Sequence, residues 1–145
     1  MIDSIALADA VAAEINTGSF SMPVTAQRML LPEFELADLA DLKVTVVPKS
    51  LQTVGLTRQA MRHEVEIEIG VQKKLTGTID TELPQWIEFV QTIDTFLRKR
   101  TLTGAIDAAW LKSTIDPLYA REHLAQSRVF TSIITVTYLL IGDDA

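Results

Sequence analysis

From Leu42 to Leu75 the chain reads LKVTVVPKSLQTVGLTRQAMRHEVEIEIGVQKKL, and the period of its second half dictates a β-strand. Met61, His63, Val65, Ile67, Ile69 and Val71 fall on one face, and Arg62, Glu64, Glu66, Glu68 and Gln72 on the other, because successive strand side chains point to opposite sides. One face packs and the other meets water. The fold must therefore contain a sheet with a covered side. The first half repeats the pattern more weakly, with Leu42, Val44 and Val46 opposed to Lys43, Thr45 and Val47, and Pro48 is expected to end that strand because it has no N–H for a ladder. The two strands then form a hairpin joined by a polar loop, Lys49, Ser50, Leu51, Gln52, Thr53, Val54, Gly55, Leu56, Thr57 and Arg58. Hairpin connections usually take two to five residues, so a loop of about ten is read as a candidate docking element.

A helix is expected on either side of this unit. Ile5, Ala8, Val11, Ala12 and Ile15 recur at helical spacing, Ser4 can cap the first turn, and Asn16, Thr17 and Gly18 supply a stop. A strand is expected from Ser19 toward Leu31, followed by a connector with one helical turn around Leu36, Leu39 and Leu42. Beyond the hairpin, Pro84 sits where a helix's first turn tolerates it. Trp86, Phe89, Val90, Ile93, Phe96 and Leu97 then form one apolar face, and Arg98, Lys99 and Arg100 match the negative end of the helix dipole. Ala105 to Lys112 reads as a short helix around Trp110, and Asp116-Pro117 as a turn. Val129 to Ile141, rich in β-branched residues, reads as a long central strand covered in part on both sides, with GDDA as a solvated tail. The expected fold is α+β: a mainly antiparallel sheet of about four strands packed on an amphipathic helix, with an N-terminal helix and a long-looped hairpin.

A chain of 145 residues without internal repeat or linker is expected to be one domain, residues 1–145, able to bury about two-thirds of its unfolded surface. It contains no cysteine, which removes thiol chemistry and cysteine-ligated metals. The start, MIDSIALADAVAAEIN, lacks the basic opening of an export signal and reads as a helix. No apolar run approaches the roughly 20 residues of a membrane span, so a soluble protein made in the cytoplasm is expected. The formal charge of -6 opposes capture of nucleic-acid phosphates. The same sign suits a passage through which DNA slides without sticking.

The residues assemble no catalytic constellation. His63 and His123 stand sixty positions apart and match no metal-binding spacing, and His63 is expected among the apolar side chains of its strand. Glu64, Glu66 and Glu68 share one strand face, but alternate residues stand nearly 7 Å apart without opposing donors, so they read as a solvated strip or as an acidic lumen or interface face. No nucleophile elbow, phosphate loop or dinucleotide fingerprint occurs, and no enzyme activity, cofactor or metal is expected. Trp86 fits the core; Trp110 fits core or interface equally well.

The stretch from Leu36 to Ser50, which contains LADLKVTVVPKS, together with HEVEIEIGVQKKL at His63 to Leu75 and SRVFTSIITVTY at Ser127 to Tyr138, resembles the tail terminator, or tail completion, proteins of long-tailed bacteriophages and prophages. With the opening helix these segments cover most of the chain; Thr101 to Arg128 matches the pattern poorly. The resemblance implies a virion structural protein of the tail and neck, a ring of identical subunits and by expectation a hexamer. Such a ring caps the tail tube and offers a surface to the head connector or neck protein. Lys49 to Arg58 would dock onto the tube or an adjacent subunit, and Glu64, Glu66 and Glu68 would face the channel or an interface. DNA would only pass through the lumen, with no sequence-specific binding and no membrane partner. Two other readings compete: a head completion or connector-type neck protein, and a small ligand-binding α+β domain with an apolar pocket.

Overall fold

Long alternating strands can be stable only beside one another, and the chain contains two of them, each fifteen residues long. The computed structural model describes residues 2–105 and 107–143. The elements, in chain order, are α1 (Ser4–Asn16), β1 (Ala26–Arg28), a 3-10 turn (Leu36–Ala40), β2 (Lys43–Gly55), β3 (Ala60–Lys74), α2 (Ile79–Leu97), β4 (Ala109–Ile115), α3 (Arg121–Ser127) and β5 (Val129–Asp143). They form an α+β fold around one five-stranded sheet of order β1-β2-β3-β5-β4. All neighbours pair antiparallel except β1, which runs parallel to β2 over Ala26 to Arg28.

The inward residues of β3, namely Val65, Ile67, Ile69 and Val71, are opposed by Tyr138, Val136, Ile134 and Ser132 of β5 and are themselves fully buried. Both long helices cover that face. On α2, Trp86, Phe89, Val90, Ile93 and Leu97 are buried, and Trp86 reaches Phe130 of β5 at 6.3 Å between ring centroids. On α1 the buried stripe is Leu7, Ala8, Val11, Ala12 and Ile15, with Leu7 in place of the expected Ile5, which stays 42% exposed. Asp3, not Ser4, caps this helix by accepting from the Ala6 amide at 2.9 Å. Asn16 ties α1 to the sheet, its amide nitrogen donating to the Ala26 carbonyl and its oxygen accepting from the Ala26 N–H at 2.7 Å. In this way the last residue of the helix substitutes for a strand partner.

Several expectations are corrected. The strand expected from Ser19 toward Leu31 shrinks to Ala26–Arg28, because Phe20 turns inward to pack edge-on against Phe89 and Phe96. The sheet gains a fifth strand, β4, where a helix around Trp110 was expected. The main helix begins at Ile79, one turn earlier than expected, and carries Pro84 inside it. The Glu82 side chain accepts the amides of Thr76 and Gly77 and so closes that early start. The expected tail is strand as far as the description goes, and Asp144 and Ala145 lie outside the described residues.

A polar knot fastens α1 to the loop after α2. Glu14 is 7% exposed and accepts from Arg100 Nε at 2.9 Å, from Thr17 Oγ1 at 3.1 Å and from the Thr103 amide. The Arg100 hydrogen bond, aided by those of Thr17 and Thr103, holds the Glu14 carboxyl below the usual carboxylate range, although burial pushes the other way. Arg100 also lies 4.1 Å over the Phe96 ring. Of the three basic residues read as a helix terminus, this one is a cross-link between elements. A lowered folded pKa contributes stability that is present above the unfolded value and is lost as pH falls through the folded one. Glu14→Gln should therefore cost about 1–2 kcal/mol at neutral pH, and the difference from wild type should shrink as pH drops below about 4. Denaturant titrations at pH 7 and pH 3 check it; an equal difference at both would refute the linkage.

The Tyr138 phenol is fully buried and has no hydrogen-bond partner among the described residues. Burial, reinforced by the nearby Glu14 carboxylate, pushes its pKa upward. An unmade buried hydrogen bond is a standing cost, so Tyr138→Phe should leave stability unchanged or raise it by up to about 1 kcal/mol, read as a melting temperature at or above wild type.

Candidate functional site

The first strand of the hairpin, expected to end at Pro48, continues past it. Pro48 and Ser50 flank a register shift, and Lys49 is the extra residue of that bulge. The strand then resumes, pairing Ser50 with Glu66 and continuing to Gly55 against Met61. Pro48 is tolerated because β1 leaves β2 at Val46, so the proline lies on an unpaired edge where no N–H is required. The expected loop Lys49 to Arg58 is thus corrected: Lys49 to Gly55 are strand, and the turn is confined to Leu56, Thr57, Arg58 and Gln59. Thr57 holds this turn, its hydroxyl accepting from the Ala60 amide at 2.9 Å.

The result is an arm. Ser50 to Gly55 extend about 20 Å at 3.3 Å per residue, joined by the start of β3 and, beside it, the end of β5. Every residue from Lys49 to Gln59 is exposed. Leu51, Val54 and Leu56 stand 47–50% exposed, and Ile141, aligned with Arg62 on the next strand, is 60% exposed. His63 lies on this arm and not among apolar core side chains as expected; it is half-buried, and its Nδ1 bonds Thr53 Oγ1 across the hairpin at 2.9 Å.

Glu64, Glu66 and Glu68 lie together on the sheet face away from α1 and α2, as their spacing implied. Two of them are not free charges. Glu64 pairs with Arg62 at 2.7 Å, and Glu66 accepts from Ser50 Oγ at 2.9 Å with Lys49 Nζ at 3.9 Å. The strip is therefore a mixed ionic row at the arm's base. Glu68 instead lines a cleft of about 250 Å³ with Pro32, Thr45, Val47, Gly70, Gln72, Thr131 and Ile133. Gly70 forms its floor, where a Cβ would stand 2.9 Å from Thr45 Oγ1. The volume falls below the roughly 300–1,000 Å³ of typical ligand pockets. Among the described residues no three His, Asp or Glu side chains gather as a metal ion would need.

Farther along the same face lies a second exposed element. After β1 the chain turns across the sheet edge, and Leu30, Leu31 and Leu36 are 58%, 72% and 46% exposed. Glu33, Glu35, Asp38 and Asp41 fall within and beside them in the chain, all exposed, and Lys43 lies 5.7 Å over the Phe34 ring. Leu39 anchors this apron, buried near Gln72, His123 and Val129. His123 in turn bonds Thr131 through Nδ1 at 2.9 Å. The repeat of leucine at 36 and 39 could not tell which points outward. Trp110 is half-buried on β4, opposite Tyr138, and so belongs mainly to the core's edge.

No protein-family model and no curated protein sequence matches this chain. Among the described residues no helix is long and apolar enough to cross a membrane.

Proposed function

We propose that this chain is a structural protein of a long-tailed bacteriophage or prophage that assembles as a ring, caps the tail tube and forms part of the head–tail joint. The observation that carries the reading is the arm, a long β-extension bearing Leu51, Val54, Leu56 and Ile141 in solvent. Exposed apolar side chains on a projecting strand pair mark a contact surface, since isolated hairpins gain little by themselves. The resemblance of Leu36–Ser50, His63–Leu75 and Ser127–Tyr138 to tail terminators supplies the kind of partner. The arm meets the tube or a neighbouring subunit. The row Glu64, Glu66 and Glu68, with its partners Lys49 and Arg62, lies beside that contact. The net charge of -6 suits a lumen that passes DNA without retaining it.

The test is negative-stain electron microscopy of the purified protein, alone and with tail-tube subunits from the same genome. Rings alone and capped tubes of limited length in the mixture are expected. Rings that ignore tubes but bind the portal side would replace this reading with the head completion one. Protein that ignores both and gains melting temperature with a small molecule would replace it with the ligand-binding one.

A further inference from the structure

Gly70 lies inside β3, between Thr45 of β2 and Ile133 of β5. A glycine within a strand packs no side chain and weakens the strand, so it often marks a place where another group approaches the backbone. Here it leaves the floor of the cleft on the sheet face away from α1 and α2. Thr45 Oγ1 lies over that floor, 2.9 Å from where a Cβ would stand.

Three oxygen acceptors around the floor are unused. Glu68 and Gln72 line the cleft from two residues before the glycine and two after it, on Cα atoms about 13 Å apart. Among the described residues the Glu68 carboxylate makes neither an ion pair nor a hydrogen bond, whereas Glu64 and Glu66 make both. Gln72 commits its amide nitrogen to Thr131 Oγ1 at 3.3 Å, which leaves its amide oxygen free. Thr45 is only 6% exposed, yet its hydroxyl has no hydrogen-bond partner among the described residues. A hydroxyl so deeply buried is normally bonded, which points to a group the chain itself does not supply. Pro32, Val47 and Ile133 complete the walls with carbon.

A carboxylate, an amide oxygen and a hydroxyl oxygen around one point select the occupant by charge and by geometry. An ammonium has three donors and no acceptor, so it can satisfy all three, whereas an anion would oppose Glu68. A flat guanidinium is better matched to one bidentate carboxylate than to acceptors placed around a point. The apolar walls suit the methylenes behind such a head, as lysine stems lie along apolar surface. A cleft of about 250 Å³ is small for a cofactor but has room for a chain end. The neighbouring bases of this chain are held elsewhere, Lys43 over the Phe34 ring at 5.7 Å and Lys49 near Glu66 at 3.9 Å.

We propose that this cleft binds a primary alkylammonium group, with Glu68, Gln72 Oε1 and Thr45 Oγ1 around the nitrogen and Pro32, Val47 and Ile133 along the carbons. The same group ends a free alkylamine and the lysine side chain of another protein. The site does not depend on the function proposed above.

Two-dimensional amide NMR of the full chain, titrated with n-butylammonium chloride, tests it. The amides of Thr45, Gly70, Gln72 and Ile133 should shift and saturate in the millimolar range, the affinity open to so small a ligand. n-Butanol keeps the chain and lacks the charge, and Glu68→Gln keeps the cleft's shape and lacks its charge; each should bind at least about tenfold more weakly. Thr45→Val should cost roughly threefold. Glu64→Gln, at a carboxylate already held by Arg62, should change nothing. Shifts centred on other residues, butanol that binds as well as the amine, or a Glu68→Gln protein that binds like wild type would overturn the site. If Glu68→Gln melts early, the butanol comparison and Thr45→Val decide in its place, and wild-type affinity in both counts against the site. A lysine peptide blocked at both ends separates the two sources. Binding as tight as that of n-butylammonium assigns the cleft to a protein side chain whose backbone stays at the mouth; binding at least about tenfold weaker assigns it to a free amine.

Discussion

Trp86→Asp is expected to leave no folded protein. Trp86 is 7% exposed and sits where α2 meets the sheet, 5.7 Å from Phe89 in an edge-on contact and 6.3 Å from Phe130 of β5. Lys73 lies 6.0 Å over the ring, and the indole nitrogen donates to Glu82 at 3.4 Å. Truncating such a side chain costs about 3–5 kcal/mol. An unpaired carboxylate in its place adds several more. A domain of this size is stable by only about 5–15 kcal/mol, so the sum removes most or all of it. Trp86→Phe keeps the ring contacts, loses the hydrogen bond to Glu82, and should cost about 1–2 kcal/mol. Soluble expression and near-ultraviolet circular dichroism melts distinguish the outcomes. An aspartate variant that is soluble and melts cooperatively would show that α2 is not what covers the sheet.

That prediction follows from residues whose role is legible in sequence, and others are not, for identifiable reasons. The α2 stripe is legible because Trp86, Phe89, Val90, Ile93 and Leu97 repeat at helical spacing against polar neighbours, and the β3 alternation is legible because every second residue is a branched aliphatic. β4 is hidden by its bulge. The register shifts between Trp110 and Lys112, which puts Leu111 out of step and breaks the period of two within a seven-residue strand preceded by alanines. The arm is hidden by Pro48 and Gly55, both of which signal a break, while what keeps the strand going is its pairing with β3, a long-range contact that local pattern does not carry. Lys49 to Arg58 could be picked out as a contact element, but its shape could not. The apron could not be picked out at all, because Leu36 and Leu39 share a spacing and only tertiary packing decides that the first is exposed and the second buried.

Shortening the arm should abolish assembly and tube capping while sparing the fold. Gln52 pairs with Glu64, so replacing Thr53 to His63 by Asn-Gly closes the hairpin with a two-residue turn of the kind that matches strand twist. The residues removed are exposed or half-buried, and none belongs to the core cluster. The end of β5 loses its partners beyond Leu139 and frays, but Val65, Ile67, Tyr138 and the helices above them keep every contact. The melting temperature should therefore fall by only a few degrees, the change expected for about 1 kcal/mol in a domain of this length. Capping should vanish, because the same cut removes the exposed Val54 and Leu56 together with Arg58 and the turn that carries them. Length measurements on tubes assembled with and without the shortened protein read the effect directly. A shortened protein that still limits tube length would move the contact off the arm, and one that fails to fold would show that the arm stabilises the sheet it projects from.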